Sequence, residues 1–406
     1  MAALAPFRAL RPAPAAASRV AAVPYDVVNA DEARALADGN ALSFLHVSRA
    51  EIDCARDVNP YSDVVYAKAV SNLEHLKQDA PLLVEDAPRV YVYRLRMENV
   101  TQTGIAACFS LDEYDRDVIK RHERTRPDKE DDRTRHLLAL RAQTGPVFLI
   151  HREASAIDGA VERVVASGSP LYDFTAADGV QHTIWRADAR DEGPLVDAFA
   201  DVPALYIADG HHRAASAARA RQQLRGAGGI SGEWDSFLAV AFPASQVRIL
   251  PYNRLVTDLG GTSPAALLDA LRQRFSVQNG PATPVRRGEV SMFLAGTWHT
   301  IALGEASGTT PATDRLDVSR LQDVILNPLL DVGDPRSSKR IDFVGGLRGT
   351  GELETAVRSG RAAVAFSMFP VSVEDLMTIS DAGGIMPPKS TWFEPKLRDG
   401  LLSHLI

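Results

Sequence analysis

Cysteine is scarce: the 406 residues contain two, Cys54 and Cys108, far apart and in no CxxC pair. That argues against a disulfide scaffold and against a cysteine-based zinc site, and makes the reducing cytoplasm the expectation. Basic charge is not in excess, with 45 Lys+Arg against 52 Asp+Glu and a net charge of −7. Non-specific nucleic-acid binding therefore lacks its electrostatic footprint. No apolar run approaches the ~20 residues of a membrane helix. The opening stretch "MAALAPFRALRPAPAAASRV" is broken by Pro6, Arg8, Arg11, Pro12 and Pro14 and reads as an ordered lead-in rather than a signal. No G-x-S-x-G elbow, no HExxH and no Gly-Lys-Ser/Thr phosphate loop occurs. Lysine is also rare, 7 residues against 38 arginines.

What remains is an ordinary globular composition, 45% apolar and 24% charged, long enough for more than one core. Asn29 with Glu32 makes a capping box, and Gly39 marks the helix stop. Apolar spacing predicts a helix over 62–79, and "RVYVYRLRM" (89–97) alternates like a strand. A helix is expected from Asp128 to Gln143, stopped by Gly145-Pro146 and followed by the buried strand "VFLI". Residues 151–200 read as an inserted excursion, and 307–315 as an exposed loop. Beyond 256, helices and strands alternate again. The fold class expected is α/β, of mixed α+β character, in three regions: 1–105, 106–255 and 256–406.

The stretch "ALYIADGHHRAASAAR" (204–219) carries the most chemistry. A strand ends in Asp209-Gly210 and runs straight into a helix. Gly210 lets backbone N–H groups approach an anion, and the helix end adds partial positive charge. Arg213 offers a planar fork to phosphate oxygens, and His211 and His212 can donate hydrogen bonds or take protons. A plain strand–turn–helix joint fits the same residues. Metal is disfavoured by spacing, because adjacent His side chains point apart. No protein cluster for a metal is expected.

Other segments add candidates. Glu123 in "RHERTR" could act as a general base. Lys129 and Arg133, four apart on one helix face, could flank phosphates, or form a solvated face. In "GGIMPPKSTWFEPKL" (383–397) Lys389 and Lys396 break the chain's arginine bias, and Ser390 and Thr391 supply hydroxyls. A strap closing over a nucleotide and a strap packed by its own aromatics fit equally. "FVGGLRGTGE" (343–352) reads as turn chemistry.

The "DGHHR" box resembles the G-x-H-R turn of the ParB/sulfiredoxin superfamily, most nearly that of the archaeal free serine kinases. The order "RHE", helix, "TGP", strand, box is similar as well, although the excursion at 151–200 separates strand from box. Over nearly its whole length the chain resembles the prokaryotic family named domain of unknown function 1015, through "VPYDVV", "HERTRPDKEDDR", "YIADGHHR", "LPYNRLV", "IDFVGG" and "MPPKSTWFEPKL". The resemblance implies a ParB/sulfiredoxin-like core with N- and C-terminal α/β additions. It implies a phosphotransferase using ATP or ADP with Mg2+, on serine or phosphoserine. Gly210, His211, His212 and Arg213 would hold phosphates, Asp209 would position Mg2+ or substrate, and Glu123 would handle the hydroxyl proton. Lys129, Arg133, Lys389, Ser390, Thr391 and Lys396 join them as candidate nucleotide contacts. The alternative is a ParB-like nucleotide-binding switch without small-molecule catalysis. Sulfiredoxin-like repair needs a cysteine where His211 stands. A small-molecule partner is expected, with no membrane or nucleic acid, and homo-oligomerisation is left open.

Overall fold

Local chemistry sets the first helix. Asn29 accepts from the backbone of Asp31 and Glu32, and Glu32 reaches back to the Asn29 N–H, closing the capping box on helix Ala30–Ala37. Gly39 follows at φ +68°. The computed structural model describes residues 2–226, 229–304 and 310–406. Residues 307–309 of the expected loop lie outside them. The predicted helix over 62–79 is Asp63–Asp79, and the "RVYVYRLRM" strand is Tyr91–Met97.

The fold is mixed α/β, organised as two compact units: residues 1–247 with 395–406, and residues 248–394. The expected boundary at 105/106 falls inside strand Val100–Ser110, which pairs along both halves with Tyr91–Met97 and Ser236–Pro243. The first two expected regions therefore share one sheet. The other expected boundary, near 255, lies close to the observed one. Segment 395–406 departs from expectation by joining the first unit.

The first unit centres on a nine-stranded sheet. Its order runs Ile119–Lys120, Leu205–Asp209, Val147–His151, Ser236–Pro243, Val100–Ser110, Tyr91–Met97, Gln181–Arg186, Tyr172–Thr175, with Leu4–Ala5 paired to Val100–Ser110. Two pairings are parallel, Leu205–Asp209 with Ile119–Lys120 and Ser236–Pro243 with Val147–His151. The strand Val147–His151 is buried throughout, as its unbroken apolar run requires. The excursion at 151–200 supplies helices Ser155–Ser167 and Ala189–Ala200 and the two strands that extend the sheet. A four-stranded sheet, Leu82–Val84, Ala9–Pro12, Ser403–Leu405, Ala142–Gln143, ties segment 395–406 in.

One helix ends early. It spans Pro127–Leu140, not 128–143, because Arg141 turns left-handed at φ 53° and Ala142–Gln143 is claimed by pairing with Leu405 and His404. Gly145-Pro146 is not its stop. The second unit is a six-stranded, wholly antiparallel sheet from Tyr252 to Met368 with a core around Leu255, Phe293, Leu353 and Ala365. Among the described residues no helix is long and apolar enough to cross a membrane.

Candidate functional site

The box forms as its sequence demands. Strand Leu205–Asp209 is buried up to Ala208, and helix His211–Arg225 starts two residues beyond Asp209. Gly210 between them has φ +93°, a conformation that costs any L residue about 1–2 kcal/mol. The first intrahelical hydrogen bond runs from the Ala214 N–H to the Gly210 carbonyl (3.0 Å), so the earlier N–H groups have no acceptor within the helix. Ala214, Ala215, Ala217 and Ala218 are buried, letting the helix sit tight on its sheet.

The charged groups of the box lock it from within. Arg213 donates to Asp209 Oδ2 (2.8 Å) and to the Pro146 carbonyl. Its side chain is about 11% exposed, so much of the fork expected to take phosphate is engaged by protein. Lys396 lies 3.6 Å from Asp209 Oδ1. Burial alone would raise the Asp209 carboxyl; Lys396 and Arg213 outweigh it and hold the carboxylate well below its usual range. A carboxylate already shared by two cations does not fit a Mg2+ ligand.

The two box histidines part company. His212 is half-buried and its Nε2 accepts the Arg126 N–H (3.1 Å). His211 is buried, and its ring meets that of His122 edge-on at 4.4 Å. Its Nε2 receives only a long contact, 3.5 Å, from the His122 backbone N–H. Burial pushes His122 down to about 4 and His211 well below the ordinary imidazole value, so both rings are neutral at pH 7. Beside the Ile207 backbone, neither ring nitrogen of buried His122 meets a well-aligned hydrogen-bond partner.

Glu123 completes a trio. Ligand atoms of His122, Glu123 and His211 all lie within 4.8 Å of one another. The expectation that no protein cluster could hold a metal is thereby corrected. His211 and His212 do point apart, but a third ring arrives from 89 positions earlier, which spacing along the chain cannot reveal.

Lys129 and Arg133 are separated by their partners. Lys129 donates to the Tyr61 hydroxyl (2.9 Å). Arg133 binds Asp132 and the Ser48 carbonyl and stacks 4.2 Å over Tyr25. Arg133 and Arg213 line a cavity of about 50 Å³ with Tyr25, Thr144, Gly145 and Asp399, with room for water. Buried Asp399 Oδ1 has no partner, and a Cβ on Gly145 would collide with it. Burial pushes the Asp399 carboxyl up to about 7, with Arg213 opposing.

Of the strap residues, Lys396 meets Asp209 within the first unit. Lys389, Ser390 and Thr391 belong to the other unit. There Lys389 sits 5.5 Å over the Tyr252 ring and its carbonyl accepts from Arg254, while Ser390 donates to the Pro387 carbonyl (2.6 Å). His122, Tyr25, Gly145 and Asp399 went unassigned in the sequence reading, although "VPYD", "RHE" and "TGP" each flagged a neighbourhood.

Fold and box together define a mixed α/β protein with a glycine-opened helix end beside a His–Glu–His trio whose two histidines are buried. The chain belongs to the family described as Protein of unknown function (DUF1015), which matches residues 4–319. No curated protein matches it. Among solved structures it is similar to SbnI with C-terminal truncation from Staphylococcus aureus, at 13% identity and TM-score 0.38, over 74% of this chain and 87% of that one. It is similar to a conserved hypothetical protein from Pyrococcus furiosus, at 15% identity and TM-score 0.36, over 74% and 95%. It is also similar to a free serine kinase, a Glu-to-Gln mutant in complex with AMP, at 13% identity and TM-score 0.35, over 72% and 92%. Likenesses this distant leave the chemistry to be argued from the residues themselves.

Proposed function

We propose that the chain is a nucleotide-dependent small-molecule phosphotransferase working between ATP or ADP and a small hydroxyl substrate. Serine and phosphoserine are the pair implied by the "DGHHR" resemblance to the ParB/sulfiredoxin superfamily. The observation that carries the reading is the position of Glu123, a carboxylate beside His211 at the N-terminus of the box helix. A proton acceptor next to an anion site is the minimum that phosphoryl transfer to a hydroxyl requires.

In this reading the open N–H groups after Gly210 take phosphate oxygens, and His212 adds a hydrogen-bonding group at their edge. The Lys396–Asp209–Arg213 chain fixes the turn so that those donors are already aimed. Glu123 accepts the substrate hydroxyl proton as the oxygen–phosphorus bond forms. The nucleotide leaves with one phosphoryl group fewer. In reverse, phosphoserine donates its phosphoryl group to the nucleotide and Glu123 returns the proton.

The test is turnover of purified protein with serine plus ATP or ADP, and with phosphoserine plus ADP. Turnover in one direction is expected, with Glu123→Gln lowering kcat on the order of 10²–10⁴-fold at unchanged nucleotide affinity. Nucleotide binding without turnover in either direction would overturn the enzyme reading in favour of a nucleotide-sensing switch. Full turnover by Glu123→Gln would overturn the base assignment alone.

A further inference from the structure

We propose that His122, Glu123 and His211 form a binding site for a transition-metal dication of the zinc type, and that occupying it inhibits the chain by taking Glu123. The site itself stands on geometry alone; the inhibition rests on the function proposed above.

Two imidazoles and one carboxylate are the donor set of an open zinc site, with a fourth position left for a small ligand. They do not suit Mg2+, which prefers an octahedron of oxygens. The ligand atoms lie within 4.8 Å of one another. Tetrahedral zinc, with bonds of about 2.0–2.2 Å, needs them roughly 3.4 Å apart. Binding would therefore draw the three side chains inward by rotation. Both imidazoles are almost wholly buried, and beside the Ile207 backbone neither ring nitrogen of His122 meets a well-aligned hydrogen-bond partner. A metal bond would satisfy a nitrogen that the fold leaves poorly paired. The nearby helix N-terminus opposes a bare dication. Glu123 supplies one negative charge, and a chloride or phosphate at the fourth position would offset the rest. With Glu123 bound to the metal, it can no longer accept a proton from a hydroxyl.

The experiment is a Co2+ titration of the full-length chain after chelator treatment, followed by visible absorption. One equivalent is expected to bind with the strong absorption of four-coordinate cobalt, to be displaced by Zn2+ and to resist excess Mg2+. His122→Asn, checked for folding by circular dichroism, is expected to weaken binding at least about tenfold, and Glu123→Gln serves as a second ligand variant. A pale six-coordinate spectrum, or affinity unchanged in both variants, overturns the site. Zn2+ is expected to suppress turnover and a chelator to restore it. Four-coordinate cobalt binding with turnover untouched by Zn2+ overturns the inhibition and leaves the site. Absence of turnover under every condition overturns the proposed function, while the cobalt result stands by itself.

Discussion

Asp399 is a carboxyl enclosed by protein, with one oxygen unpartnered and its protonated form favoured up to about pH 7. Its stability contribution is therefore complete below about pH 4, where the unfolded chain is protonated too, and is lost as pH rises toward 7. A shift of that size is on the order of 4 kcal/mol. Thermal unfolding of the wild-type chain should lose stability between pH 4 and pH 7. Asp399→Asn should flatten that dependence and melt higher than wild type at pH 7 but not at pH 4. Equal slopes for both proteins would show that the carboxyl is ionised throughout. Nothing local in "KLRDG" announces this group, because its burial depends on Gly145 and Arg213, both more than 180 positions away. Gly210 was legible for the opposite reason: its left-handed turn is dictated by the residues on either side.

At the scale of elements, the sequence reading succeeded where neighbours decide and slipped where distant strands do. Asn29 and Glu32 cap their helix through contacts three residues apart, so the pattern was sufficient. Helix Pro127–Leu140 ended three residues before the expected Gln143, because Ala142 and Gln143 pair with a strand more than 260 positions away. The His122–His211 contact is of the same kind. Segment 395–406 is the element with the widest reach: it brings Lys396 to Asp209, Asp399 to the cavity, and Ser403–Leu405 between two strands of the small sheet. A chain stopped after Glu394 should keep the second unit's unfolding transition and lose cooperative unfolding of the first. Hydrogen exchange, resolved by peptide, would check this: fast exchange confined to residues of the first unit is expected. Protection equal to that of the full chain would show the segment to be dispensable.

At the scale of the molecule, the second unit is an insertion whose ends are neighbours. Arg248 pairs with Glu394 in register, so chain leaves and re-enters the first unit at adjacent points. Every residue of the box and the trio lies in the first unit. Replacing 248–394 by a short Gly/Ser linker should therefore give a folded protein that binds Co2+ and nucleotide like the parent. Failure to fold, or loss of cobalt binding in a folded product, would mean that the insertion supports the site. Binding kept with turnover lost would place part of the substrate's recognition in the second unit.

The order of synthesis gives the same connectivity another meaning. Gly210, His211 and Glu123 leave the ribosome well before Lys396 and Asp399, and the whole of 248–394 is made in between. Until then Asp209 has Arg213 but not its ammonium, and the space beside Gly145 stands open. The second unit can complete its own sheet while the first still waits for a strand. A nascent chain of this protein thus carries an unfinished Asp209–Gly210 turn while the second unit is being made, and Lys396 and Asp399 join the first unit only afterwards.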